Sequence, residues 1–164
     1  MNILRKFTGG LASVAGAITA VALVVYTLII VVNVALRHAF NTPLFWAYEV
    51  STYLFIYSVF LGGSVALMRC ELMCTSDLRD RLPHIPRRML EVLSHGVAML
   101  FSGLAATFSW TLLEHAIRKG TMSPALEIPM YVVYLPLPLG FALMALFSFV
   151  LLLGSLRKLM GLEK

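Results

Sequence analysis

Charged residues are scarce in this sequence. Only 13% of its 164 residues are Asp, Glu, Lys or Arg, whereas 60% are hydrophobic. Soluble globular domains carry about 25% charged residues, because their surfaces face water. The composition therefore excludes an ordinary soluble domain and indicates a protein that lies in a membrane.

Residues that could carry chemistry are equally few. The two cysteines, Cys70 and Cys74, are interpreted as structural thiols, since no nearby Cys or His completes a zinc-binding spacing. His38, His95 and His115 are not placed to face each other at one depth, as two haem ligands would have to be. The sequence also has no nucleophile and base at matching depth, no paired intramembrane carboxylates and no phosphate-binding glycine loop. We therefore predict a chain that is not an enzyme, with no catalytic residues, cofactor or metal site.

What the sequence does contain is four long stretches without any Asp, Glu, Lys or Arg, at residues 7–36, 50–68, 92–113 and 128–156. About 20 mostly apolar residues cross the roughly 30 Å hydrocarbon core of a bilayer as a helix. Such runs must be helical, because every backbone polar group inside lipid needs a partner. We predict an all-α integral membrane protein, a single domain over residues 1–164, with four transmembrane helices at about 11–36, 47–68, 92–113 and 128–156.

The basic residues are distributed unevenly around these stretches. Ten of the 13 Lys and Arg lie in the N-terminal tail, the second connection and the C-terminal tail, and three (Arg37, Arg118 and Lys119) lie in the first and third connections. Basic residues are retained on the cytoplasmic side, so both termini are predicted to be cytoplasmic. The net charge of +5 is then a topology signal, and no nucleic acid is expected as a partner. The first apolar stretch exceeds the about 7–15 residues of a signal-peptide core, which favours a retained helix over a cleaved leader.

Small residues recur at intervals of four in the first three stretches, at Ala12, Gly16 and Ala20, at Ser58, Gly62 and Ala66, and at Ser94, Ala98, Ser102 and Ala106. This spacing lets helix backbones approach closely in lipid. Two interpretations stay open, packing within this chain and docking against another membrane subunit. Aromatic residues at the predicted outer ends of the helices are typical of the interfacial belt.

Few ionisable groups lie near the hydrocarbon. Arg37 and Glu49 border the first connection, and we predict either an ion pair between them or two solvated charges at the headgroups. An ion pathway would need ionisable groups at mid-membrane, and these are absent, so the chain is not expected to transport by itself.

The basic, partly apolar second connection is expected to lie on the phospholipid headgroups. Pro136 and Pro138 predict a kink or break in the fourth helix.

Three local patterns, in this order, resemble the small membrane subunit of tripartite ATP-independent periplasmic (TRAP) transporters, the DctQ-like family. They are Arg37, Trp46 and Glu49; the tract 59–69, which contains Gly62 and ends at Arg69, followed by Asp77; and the stretch 123–129, from Ser123 to Pro129, continued by Tyr134. Family members often carry His four residues after the Arg that ends the second span. Met73 occupies that position here, so this chain lacks that histidine.

The resemblance implies a small non-catalytic subunit that scaffolds a large, sodium-coupled elevator permease in the bacterial inner membrane. It implies a stable heterodimer with that large subunit and transient contact with a periplasmic substrate-binding protein, which delivers organic acid anions. The residues of the three patterns become candidates for the partner interface or for structural roles. The alternatives are an anchoring or assembly subunit of another membrane complex, and a small homo-oligomeric transporter.

Overall fold

The computed structural model describes residues 2–40, 44–68 and 84–159. Within these ranges the backbone forms helices and no strand, in the order α1 (Asn2–Phe40), α2 (Phe45–Met68), α3 (His84–Lys119), α4 (Met130–Tyr134) and α5 (Pro136–Leu159). The segments long and apolar enough to cross a membrane are Thr8–Phe40, Trp46–Met68, Met89–Lys119 and Met130–Arg157. The prediction of an all-α membrane fold with four transmembrane helices is confirmed.

The fourth span is broken at a proline, as predicted. α4 ends at Tyr134 and α5 begins at Pro136, which has no N–H to give to the carbonyl of Val132 one turn earlier. The hydroxyl of Tyr57 on α2 donates to that carbonyl instead, at 2.8 Å. Leu135, between the two helices, keeps helical angles of φ −56° and ψ −38°. The break is therefore local, and α4 and α5 together form one span.

The four spans lie in a row, in the order α1, α2, α5, α3. α3 packs most extensively on α5, α1 packs on α2, and α2 also packs on α5, whereas α1 barely touches α5. A closed four-helix bundle would also bring α1 against α3, and within the described residues these two helices make no extensive contact. The row consequently exposes two broad apolar faces and the outer flanks of α1 and α3.

Two adjacent glycines let α2 pack closely on both of its neighbours. A Cβ added at Gly62 would lie 2.9 Å from the methyl carbon of Thr19 on α1, and one at Gly63 would lie 2.8 Å from the terminal methyl of Met144 on α5. Both distances are shorter than carbon atoms tolerate, so a larger residue would push the neighbouring side chain aside. The spacing that includes Gly62 thus serves packing within the chain.

A third close approach joins α5 back to α2. A Cβ at Gly140 would lie 2.7 Å from the Cβ of Phe60 and 3.0 Å from its carbonyl oxygen. The ring of Phe60 stands edge-on to Phe141 with centroids 5.3 Å apart, and Phe141 stands edge-on to Phe101 of α3 at 6.4 Å. Such edge-to-face pairs are favourable beyond the area they bury. The three rings connect α2, α5 and α3 across the row.

Buried hydroxyls are bonded within their own helices at many positions. The buried side chains of Ser51, Ser58, Ser64, Ser102 and Ser109 donate to backbone carbonyls three or four residues earlier. This bonding satisfies the hydroxyl without a partner helix. These serines act as small packing residues and do not assemble a polar site.

Candidate functional site

The carboxylate of Glu49 is the centre of the most densely bonded polar site in the described residues. Glu49 lies in the first turns of α2 and accepts hydrogen bonds from the loop that joins α3 to α4. The donors are the hydroxyl of Ser123 and the backbone N–H groups of Ala125, at 3.0 Å, and Leu126, at 3.2 Å. Hydrogen bonds to an ionised carboxylate are about twice as strong as neutral ones. Glu49 therefore fastens this loop to the start of α2.

The loop presents these donors because its own backbone is paired. The N–H of Ser123 donates to the carbonyl of Ile128 at 2.9 Å, and the N–H of Met130 donates to the carbonyl of Thr121, also at 2.9 Å. Met122 and Pro129 form an antiparallel bridge between the two arms. The pairing holds the side chain of Ser123, which is buried, toward Glu49.

Two residues of the loop have positive φ. Gly120, with φ +57°, ends α3, and its N–H bonds to the carbonyl of Ile117 at 3.3 Å, an ordinary glycine stop after a helix. Glu127, with φ +53°, adopts the same left-handed region, which costs a non-glycine residue about 1–2 kcal/mol. Its N–H donates to the carbonyl of Ser123 at 3.2 Å. The surrounding bonds determine this conformation.

Of the two predicted alternatives for Arg37 and Glu49, the ion pair is not formed within the described residues. Arg37 is exposed at the end of α1, and the ion pair shown among the described residues joins Glu114 to Arg118 instead. The two charges are close in sequence, which favoured the pairing. Glu49 is bound by neutral donors of a loop that is far away in sequence, and these donors occupy three of its about four acceptor positions.

Asn33 forms a second fastening at the same end, which the sequence analysis missed. Its side-chain oxygen accepts the N–H of Leu44 at 3.0 Å and so joins α1 to the segment before α2. The carbonyl of Leu44 in turn accepts the N–H of Ala47 in the first turn of α2. The available signal was a lone amide near the end of a long apolar run, a position where a polar side chain needs a partner.

The structure brings only some of the candidate residues together. Glu49 and Ser123 are in contact, and Pro129 lies in the bridge of the same loop. Gly62 is far along α2 against Thr19, Trp46 is exposed in the first turn of α2, and Tyr134 ends α4. Arg69, Met73 and Asp77 lie outside the described residues. The pattern is thus one loop-fastening site with separate packing positions.

The geometry gives Glu49 a structural role and offers no reaction. Its carboxylate is occupied by three donors from the loop. Among the residues that the structure describes, no three His, Cys, Asp or Glu side chains come together as metal ligands. Cys70 and Cys74 are not among those residues.

Comparison with known proteins agrees with this view of the chain. Residues 26–158 match the family model described as "Tripartite ATP-independent periplasmic transporters, DctQ component". The C4-dicarboxylate TRAP transporter small permease protein DctQ of Rhodobacter capsulatus is 33% identical over 101 residues, which cover 62% of this chain and 44% of that protein. The ectoine TRAP transporter small permease protein TeaB of Halomonas elongata is 33% identical over 115 residues, covering 68% and 58%.

A relative of another kind is the isethionate TRAP transporter permease protein DctMQ of Oleidesulfovibrio alaskensis, 31% identical over 115 residues that make up 68% of this chain and 18% of that protein. The matched segments span less than two thirds of each of these relatives. All are named as permease proteins, in agreement with the prediction that this chain is not an enzyme.

The family match begins within α1, runs almost to the end of α5 and includes the Glu49 site. Together with the four apolar spans, the match makes this a multi-pass protein of the bacterial inner membrane. The chain belongs to the DctQ component family of tripartite ATP-independent periplasmic transporters.

Proposed function

We propose that this chain is the small, non-catalytic subunit of a TRAP-type secondary transporter and that it scaffolds a large permease subunit. The observation that carries the proposal is the open row of four spans. A row leaves both faces of its inner helices and the flanks of its outer helices without partners from the same chain. Large apolar side chains such as Leu100, Phe108 and Val21 are more than half exposed there. Such surfaces suit lateral packing against a second membrane protein.

A scaffold has to keep its shape while its partner moves. The described residues fit that need. The close approaches at Gly62 and Gly140 and the Tyr57 bond join neighbouring helices, and the Glu49 site joins α2 to the loop after α3. None of these contacts uses a charge at mid-membrane. The partner we propose is a sodium-coupled elevator permease, in a stable heterodimer with this chain.

The DctMQ relative supports a large partner, since the segment that matches this chain is only 18% of that protein. A periplasmic substrate-binding protein is the proposed transient partner. The ten-to-three distribution of basic residues supports a topology with both termini in the cytoplasm. In this topology the Glu49 site lies at the periplasmic end, where the binding protein docks.

The substrate class we propose is organic acid anions. Three relatives with 31–33% identity carry three different substrate names, C4-dicarboxylate, isethionate and ectoine. Nearly equal sequence identity to all three relatives is expected if this subunit does not contact the substrate. The choice of substrate is then made by the large subunit and the binding protein.

Reconstitution tests the proposal. The purified chain, a large TRAP permease subunit and a periplasmic substrate-binding protein are combined in liposomes under an inward sodium gradient. We expect uptake of radiolabelled organic acid only when the large permease is present with this chain. Uptake by this chain alone would contradict the scaffold role. Full uptake by the large permease without this chain would also contradict it.

A further inference from the structure

An open hollow of about 450 Å³ lies between the last turns of α3, the loop that follows and α4. His115 and Lys119 contribute from α3, Thr121 and Met122 from the loop, and Met130 and Tyr134 from α4. Most of the wall is apolar, and its polar groups are two basic side chains and two hydroxyls. The Glu49 site does not use these side chains.

The charge of the hollow is positive. Lys119 and His115 are one turn apart and therefore share a face of α3. The neighbouring cation, Arg118, is bound to Glu114. No ion pair involving Lys119 occurs within the residues that the structure describes, and no acidic side chain lines the hollow. An anion in this place would meet Lys119 without competition from a carboxylate.

The position of the hollow combines a headgroup site with an acyl-chain site. Lys119 is the last residue of the third span, and Leu112, also in the wall, lies about 10 Å deeper along the helix. Met122 and Met130 add flexible apolar surface between them. A soluble anion would leave this apolar wall facing water. A molecule with a phosphate at one end and hydrocarbon at the other would cover both parts.

We infer that this hollow binds an anionic phospholipid, with the headgroup phosphate on Lys119 and His115 and an acyl chain against Leu112. A zwitterionic lipid fits less well, since its own cation would face the same two basic side chains. The inference does not rest on the transporter role, because it concerns only this chain and the bilayer.

The test uses the full-length chain purified in detergent and mixed with equal amounts of phosphatidylglycerol and phosphatidylcholine. Native mass spectrometry then counts the lipids that stay bound. We expect phosphatidylglycerol to be retained preferentially, and Lys119→Gln to lower its occupancy about fivefold, the effect of one cation near a membrane surface. Lys119→Arg should restore it. Arg118→Gln is the matched control, since it removes a cation from the same turn that is already paired.

Four results would overturn the inference. Equal retention of both lipids would show that the hollow has no preference for an anionic headgroup. Equal losses in Lys119→Gln and Arg118→Gln would show that Lys119 has no specific role in binding the lipid. Displacement of the lipid by millimolar glycerol phosphate would show a simple anion site without an acyl-chain component. Unchanged lipid binding in Lys119→Gln, with a lower yield of a complex with the large permease, would show that the hollow is a protein contact. Circular dichroism and elution volume confirm that each variant is folded.

Discussion

The hydroxyl of Ser123 donates to the carboxylate of Glu49 across 74 positions of the chain. This bond joins the start of α2 to the loop that connects α3 with α4. With the two N–H groups of Ala125 and Leu126 on the same carboxylate, one side chain positions the whole loop. The third connection is thereby fixed to the row of spans at the end where α2 begins.

Glu49→Gln should lower the thermal stability of the purified chain, because the amide replaces one acceptor oxygen with a donor that faces other donors. Ser123→Ala removes a buried hydroxyl that donates to a charged carboxylate and should cost about 1.5–3 kcal/mol. Thermal unfolding in detergent measures both. Since the two side chains share one bond, the double variant should lose less than the sum of the two single losses.

Arg37→Gln is the control for this series. Arg37 is exposed and forms no hydrogen bond or ion pair in the described part of the chain, so its replacement should change stability by less than about 0.5 kcal/mol. A loss of thermal stability as large as that of Glu49→Gln would support an ion pair between Arg37 and Glu49. It would count against the loop-fastening role of Glu49.

Tyr57→Phe should destabilise the chain because it leaves the carbonyl of Val132 without its donor. A lost hydrogen bond between helices in a membrane costs about 1–2 kcal/mol at most. In a Pro136→Ala background the cost should shrink, since the substituted alanine supplies the backbone N–H that proline lacks. Tyr26→Phe is the matched control, because Tyr26 contacts Phe55 through its ring, which the substitution keeps. An equal cost in both backgrounds would show that the Tyr57 bond does not compensate for the proline.

Three glycine substitutions should differ in a fixed order. Gly140→Ala should be the most damaging, at about 1–3 kcal/mol, because its methyl group would meet the backbone of Phe60. Gly62→Ala should cost less, since the obstacle is the side chain of Thr19. Gly103→Ala, with nothing within 4 Å, should be neutral or stabilising. Thermal unfolding of the three variants checks the order, and an equal effect at Gly103 and Gly140 would contradict the close packing of α2 on α5.

The sequence predicted the spans well, because an uncharged run of about 20 residues or more has few alternatives in a protein. The break before Pro136 was also predictable, since the missing N–H is a property of one residue. The Glu49 site was not predictable in the same way. Its donors are a hydroxyl and two backbone N–H groups, which look like ordinary loop residues until the chain is folded. The nearest opposite charge, Arg37, was the more visible partner and the wrong one.

The order of the helices was not predictable either. Small-residue spacing marked one face of α2 through Gly62, but the adjacent Gly63, which meets α5, broke that pattern. Two neighbouring glycines, about 100° apart around the helix, each meet a different helix, which indicates a helix between two partners. That signal becomes clear only when the partners, Thr19 and Met144, are known.

With four spans both termini lie on one side, and the ten-to-three distribution of basic residues predicts that this side is the cytoplasm. Met122→Cys places a thiol in the opposite connection, at a position 64% exposed. The native Cys70 and Cys74 lie in the second connection, predicted to be cytoplasmic, and serve as internal controls.

A membrane-impermeant maleimide applied to intact spheroplasts should label Met122→Cys and leave the parent chain unlabelled. After permeabilisation the parent should be labelled through its native cysteines, and a Cys70→Ser, Cys74→Ser background should remove that signal. The reverse pattern, with the parent labelled in intact spheroplasts and the thiol introduced at position 122 protected in the cysteine-free background, would place the termini outside. In that case the Glu49 site would face the cytoplasm, and the proposed contact with a periplasmic binding protein would have to be abandoned, while family membership and the packing of the four spans would be unaffected.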